Sequence, residues 1–171
     1  YHNCLGNHDV LGWSSRRKVG VDDPDLGKKM AMDRLGMEKS YYSFDHKGWH
    51  FAVLDSIHPV DGADGPSYEA RLGAEQLDWL AHDLGKASAA GRRSVCMTHI
   101  AAFCNIGTIN GDAEARAMAP GMVLRDSKDL RLILERHNVR ALLQGHSHVT
   151  EDFEYNGVAY LTSPAVSAAW W

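Results

Sequence analysis

Six residues carry donor chemistry at spacings that invite a site: Asn7, His8, Asp9, His99, His146 and His148. They fall in three short segments, Gly6-Asn7-His8-Asp9, Thr98-His99 and Gly145-His146-Ser147-His148. Neutral imidazole is the commonest nitrogen ligand for zinc-, iron- and manganese-type sites. An Asn carbonyl is a hard oxygen ligand. The residue types therefore suit a metal site. His146 and His148, two apart on a turning segment, could each serve a different cation, and Gly145 allows close backbone approach. Plainer roles compete. Asn7 is also a favoured turn residue after a glycine, and Asp9 could simply cap that turn.

What must position these segments is an alternation of strand and helix patterns, which predicts the α/β class. Residues 1–5 read as a short strand end, and 6–21 as a loop. Asp23-Pro24 reads as a helix start, with Leu26, Met30 and Leu35 on one face and Gly36 as the stop. Tyr41 to Asp45 and Trp49 to Leu54 flank a Gly-containing turn and predict a hairpin. Residues 56–72 read as an irregular loop with Pro59, Gly62, Gly65 and Pro66. Leu77, Leu80, Ala81 and Leu84 make one apolar helix face closed by Gly85. Ser94 to Met97 is a buried-type strand leading into Thr98-His99, and 100–122 is long and irregular. A helix from Asp126-Ser127 to Asn138 carries Leu130, Ile133 and Leu134. Val139 to Leu143 is a strand running into Gly145, and Asn156-Gly157 joins two further β-prone runs as a hairpin. The three polar segments thus each follow a strand, where ligands bind in α/β sheets.

Composition sets the bounds. The chain has 171 residues, fitting a single domain over 1–171. At 44% hydrophobic and 23% charged it is neither disordered nor collagen-like. No apolar run reaches about 18 residues, so no membrane span is expected. Lys and Arg number 18 against 22 Asp and Glu, a net charge of −4, which argues against general nucleic-acid binding. Cys4, Cys96 and Cys104 form neither a disulfide framework nor a Cys-x-x-Cys zinc pattern. A first residue Tyr1 and a terminal Trp170-Trp171 read as a segment of a longer protein cut at both ends.

Gly-Asn-His-Asp, then a lone His after a strand, then Gly-His-x-His, is similar to the later motif set of the calcineurin-like metallophosphoesterase superfamily. The Tyr41–Asp45 and Trp49–Ser56 runs resemble its central hairpin, and Gly73 through Leu84 the helix after it. The cyclic-nucleotide phosphodiesterases and purple-acid-phosphatase-like members are the relatives most resembled.

The resemblance implies a four-layer α/β/β/α sandwich with two mixed β-sheets, incomplete at the N-terminus. It implies two divalent metal ions (Mn, Fe or Zn) in the complete site, with Asn7, His99 and His146 as ligands of one and His148 of the other. His8 would contact the phosphoryl group and assist the leaving group, and Asp9 would orient His8. The reaction implied is hydrolysis of phosphomonoesters or phosphodiesters by a metal-activated water. The partner expected is a small phosphorylated substrate. The earlier motifs Asp-x-His and Gly-Asp-x-x-Asp are absent from this chain, which alone carries about half of a dinuclear site and perhaps holds one ion. A non-catalytic metal-binding scaffold, or an inactive fragment of such a hydrolase, is the alternative. Arg16, Arg17 and Lys18 could bind substrate phosphate or form a solvated loop. His58 could face the site. The missing start would leave apolar surface exposed.

Overall fold

The computed structural model describes residues 1–13, 19–109 and 121–165. In chain order the elements are α1 (Lys29–Leu35), β1 (Tyr42–His46), β2 (Trp49–Val53), β3 (Ile57–Gly62), β4 (Gly65–Ala70), α2 (Ala74–Ala89) and β5 (Arg93–Met97). Then follow α3 (Ile106–Ile109), α4 (Ser127–Arg136), β6 (Val139–Gln144), β7 (Glu151–Tyr155) and β8 (Val158–Thr162).

Six strands form one mixed sheet in the order β1-β2-β5-β6-β8-β7. The four central strands run parallel, and β1 and β7 close the edges antiparallel. Parallel neighbours need long crossovers. The connection from β2 to β5 carries α2, and that from β5 to β6 carries α4. The α/β class with two sheets is as expected. The second sheet is the two-stranded antiparallel β3–β4 hairpin rather than a mixed one.

Strand alternation divides the large sheet. Ala52, Cys96, Leu142 and Tyr160 point to one face, all fully buried, where they meet Leu80 and Leu84 of α2 and Leu130 and Leu134 of α4. Phe51, Val95, Met97, Leu143 and Leu161 point the other way and stay partly exposed. On that side the rings of His2, Phe44 and Phe51 stack in succession along the β1 edge.

Both predicted hairpins are present. Lys47 and Gly48 have φ of 47° and 81°, and Asn156 and Gly157 have 52° and 80°, the left-handed pairs that a two-residue hairpin turn requires. Four elements differ from expectation. Residues 1–5 form no strand, because their ties are to side chains and single carbonyls rather than to a ladder: the Asn3 N–H donates to the Tyr42 hydroxyl (2.8 Å), and the Cys4 thiol to the Leu54 carbonyl (3.4 Å). Asp23-Pro24 makes a turn in which Asp23 Oδ1 accepts the Asp25 N–H, and α1 starts only at Lys29. Residues 57–70 are a hairpin, not irregular loop. Helix α2 runs through Gly85 to Ala89, with Ala87 extending its buried stripe.

No helix among the described residues is long and apolar enough to cross a membrane.

Candidate functional site

The site forms where β5 and β6 end side by side. Met97 pairs with Leu143 in the parallel register, and the ladder continues past both strands. The Thr98 N–H donates to the Leu143 carbonyl (2.9 Å) and the Gly145 N–H to the His99 carbonyl (3.0 Å). His99 and His146 are therefore held on adjacent strand ends by backbone bonds. Ser56, just beyond β2, adds a third tie, its hydroxyl accepting the Ile100 N–H at 3.0 Å.

The N-terminal loop comes in over this pair. Asp9 closes a tight turn: its N–H donates to the Gly6 carbonyl (3.1 Å) and its Oδ2 accepts the Gly6 N–H (2.8 Å). Gly6 lies against the His99 ring so closely that a Cβ there would sit 2.9 Å from both Cε1 and Nδ1. Only glycine permits that approach. It carries Asn7 to the ring edge, where Asn7 Oδ1 lies 2.9 Å from His99 Nε2. The same Nε2 faces His146 Nδ1 at 3.2 Å, with the two rings inclined at 67°.

Three donor atoms thus meet, two from the segments that follow β5 and β6 and one from the N-terminal loop, which follows no strand. Donors bound to one cation at about 2.0–2.2 Å stand roughly 3–3.5 Å apart, so these separations suit a shared cation. Protonation also suits it. Burial, followed by the neighbouring His146 ring, pushes His99 down to about 4, with His8 and His148 acting the same way and Asp9 opposing. Burial first, then His148 and His8, lowers His146 as well. Both rings are neutral near pH 7, with lone pairs to offer.

His8 and His148 stand in the same electrostatic neighbourhood but outside the contact triad. Among the described residues no group of three or more His, Cys, Asp or Glu side chains is placed to hold a metal ion. The converging set among the described residues is two imidazoles and an amide oxygen, with no carboxylate. His8 and Asp9 are exposed on the loop. Among the described residues, Asp9's carboxylate is held by the turn bond from the Gly6 N–H.

Other histidines of the described chain are engaged away from this contact. His58 packs against Gly73, where an added Cβ would come 2.9 Å from its Cε1. His50 is clasped between Asp45 and Asp83, each at 2.8 Å. Arg16, Arg17 and Lys18 lie outside the described residues. Cys4, beside the loop, is pushed up to about 12 by burial and then by Asp55 and Asp9, so it is no nucleophile at neutral pH.

Four supporting side chains were not anticipated. Ser56 has just been described. Gln76 of α2 grips the end of β2, its Oε1 accepting the Asp55 N–H and its Nε2 donating to the Asp55 and Leu72 carbonyls. Asp55 in turn pairs with Lys28 in a largely buried ion pair. Gln144 and Glu151 flank the Gly-His-Ser-His turn. Only Gln144, immediately before Gly145, carried any positional hint.

No family model and no curated protein matches the sequence. Among solved structures the chain is similar to a dimetal phosphatase from Danio rerio, with a TM-score of 0.52 and 14% identity over 76% of this chain. The chain shares its fold with a dimetal phosphatase. It spans 51% of that protein's length, about half. It is also similar to the phosphopantetheinyl hydrolase of Mycobacterium tuberculosis, with a TM-score of 0.48 and 12% identity over 94% of this chain and 68% of that one.

Proposed function

We propose that this chain carries one half of the centre of a metal-dependent phosphoesterase, acting on phosphomonoesters or phosphodiesters. The observation that carries this reading is the meeting of Asn7 Oδ1, His99 Nε2 and His146 Nδ1 at the ends of β5 and β6. The shared fold with a dimetal phosphatase supports it.

Divalent cations, when bound, neutralise phosphoryl charge and supply a water acidic enough to attack at neutral pH. Asn7, His99 and His146 would hold one such cation, and His148 would contribute to a second. His8, exposed on the loop above the pair, would reach the phosphoryl group and give its proton to the departing oxygen. Asp9 fixes the turn that carries His8 and would keep its ring oriented. Because phosphoryl transfer depends chiefly on positioning and charge, no serine or cysteine nucleophile is required.

The test is metal stoichiometry after loading with manganese and removing the excess. The wild-type chain should retain about one ion, lost in His99→Ala and in His146→Ala. His8→Ala should keep the metal, because the contact of Asn7, His99 and His146 does not use its ring. A wild-type chain that retains no manganese would sink the proposal.

A further inference from the structure

His146 and His148 both have left-handed backbone, with φ of 70° and 62°. For residues with a Cβ such a conformation is strained, and it persists only where the surroundings over-determine it. Within the turn, one bond runs from the Ser147 N–H to the Gly145 carbonyl (2.9 Å), and Ser147 itself is buried. The Gly145 N–H, bonded to the His99 carbonyl (3.0 Å), ties down the first residue of the turn, but neither bond fixes the turn as a whole.

Two buried side chains do so, one on each flank. Gln144 lies two residues before His146. Its Oε1 accepts the Ala102 N–H (3.0 Å), and its Nε2 donates to the Phe103 carbonyl (2.7 Å) and to the Thr162 hydroxyl (2.8 Å). Glu151 lies three residues after His148. Its Oε1 accepts both the Asn105 N–H (2.7 Å) and the Asn105 side-chain amide (3.0 Å). Both grip the same segment, 102–105, which is the direct continuation of His99. The Gly145–His148 turn is bracketed against the chain that carries the facing ligand.

We infer that Gln144 and Glu151 are positioning residues for His146 and His148, clasping their turn to the 102–105 segment so that the rings keep their place beside His99. The consequence for metal affinity rests on the proposed function; the consequence for ring order does not. Glu151 is the sharper half of the bracket. It is a buried carboxylate whose Oε1 takes two bonds from Asn105, and Gln can reproduce that acceptor oxygen.

The experiment compares Glu151→Ala, Glu151→Gln and Asn105→Ala by two readouts on the full chain. The first is the imidazole carbon–proton spectrum of the metal-free protein. In Glu151→Ala the His146 and His148 resonances should shift or broaden while that of His50, held by Asp45 and Asp83, stays put. Glu151→Gln should leave all three in place. The second is manganese affinity. It should fall about tenfold or more in Glu151→Ala and stay within about threefold of wild type in Glu151→Gln, as for other residues that orient ligands. Asn105 is exposed and its substitution is safe for folding. Asn105→Ala, which deletes one of the two bonds, should move the same two resonances by a smaller amount, and it decides the matter if Glu151→Ala does not fold. Unmoved His146 and His148 resonances in both Glu151→Ala and Asn105→Ala would overturn the inference, as would a Glu151→Gln variant as disturbed as Glu151→Ala. A wild-type chain that fails to bind manganese would count against the proposed function alone, because the ring spectra still report on the bracket.

Discussion

The two faces of the six-stranded sheet are built from similar residues and meet different fates. On one, Leu142 is fully buried beneath α2 and α4; on the other, its neighbour Leu143 is 39% exposed. Both are leucines on the same central parallel strand. A strand in a parallel sheet covered on both sides reads as a continuous apolar run, and Ala141-Leu142-Leu143 reads that way. The side chains are thus suited to two covered faces, and the helices cover one. The candidate site lies at the carboxyl ends of these strands, where the two faces meet. Its histidines just beyond β5 and β6, His99 and His146, are held in place by the continuing ladder bonds.

The sharpest way to break this comparison is to truncate both leucines. Leu142→Ala removes packing that nothing refills and should cost about 2–5 kcal/mol. Leu143→Ala gives up mostly surface contacts and should cost under about 1 kcal/mol. Urea unfolding of the two variants, read at constant slope, measures both. Equal losses would mean that the second face is covered in solution.

The next largest effect concerns the seam. His99 lies at about 4 in the folded protein against 6.5 for the free side chain. The unfolded chain therefore binds the extra proton first as pH falls. Stability should drop as pH goes from about 6.5 to about 4 and level off below, a loss of about 3 kcal/mol from this group. His99→Asn should flatten that part of the profile in metal-free protein. An unchanged slope would mean that His99 is more hydrated than its place under Gly6 indicates.

Much of this organisation was legible in the sequence because it is written locally. Asn156-Gly157 specifies its hairpin through backbone preference, Gly48 does so for half of the other turn, and Leu80, Leu84, Leu130 and Leu134 announce their helix faces by spacing. The β3–β4 hairpin was hidden by its own composition. Pro59 and Pro66 look like strand breakers, yet they pair with Tyr68 and Asp61 in a two-stranded ribbon, whose strands each have a free side where the missing donor does no harm. The strand-like residues 1–5 failed the opposite way, since apolar composition makes no ladder without a partner. For the candidate site, the meeting of His99 and His146 was legible from their types and their place after strands, whereas Asn7 arrives on a loop that follows no strand. Ser56, Gln76, Gln144 and Glu151 were not, because each acts by reaching backbone that only the tertiary fold brings near.

The smallest predicted effect is also the most specific to the open face. Leu143→Lys places a charge where the side chain already meets solvent, and a lysine can lay its stem on the sheet and keep its ammonium in water. Its stability should change by no more than about 0.5 kcal/mol. Removing apolar surface there should also weaken self-association, read as a shift toward the monomer in sedimentation at high protein concentration. The same substitution one residue earlier, Leu142→Lys, should abolish folding, because it buries an unpaired ammonium among Tyr160, Leu130 and Leu134. If Leu143→Lys instead unfolds the chain, the exposed face is not a free surface but half of an interface that the folded state already uses.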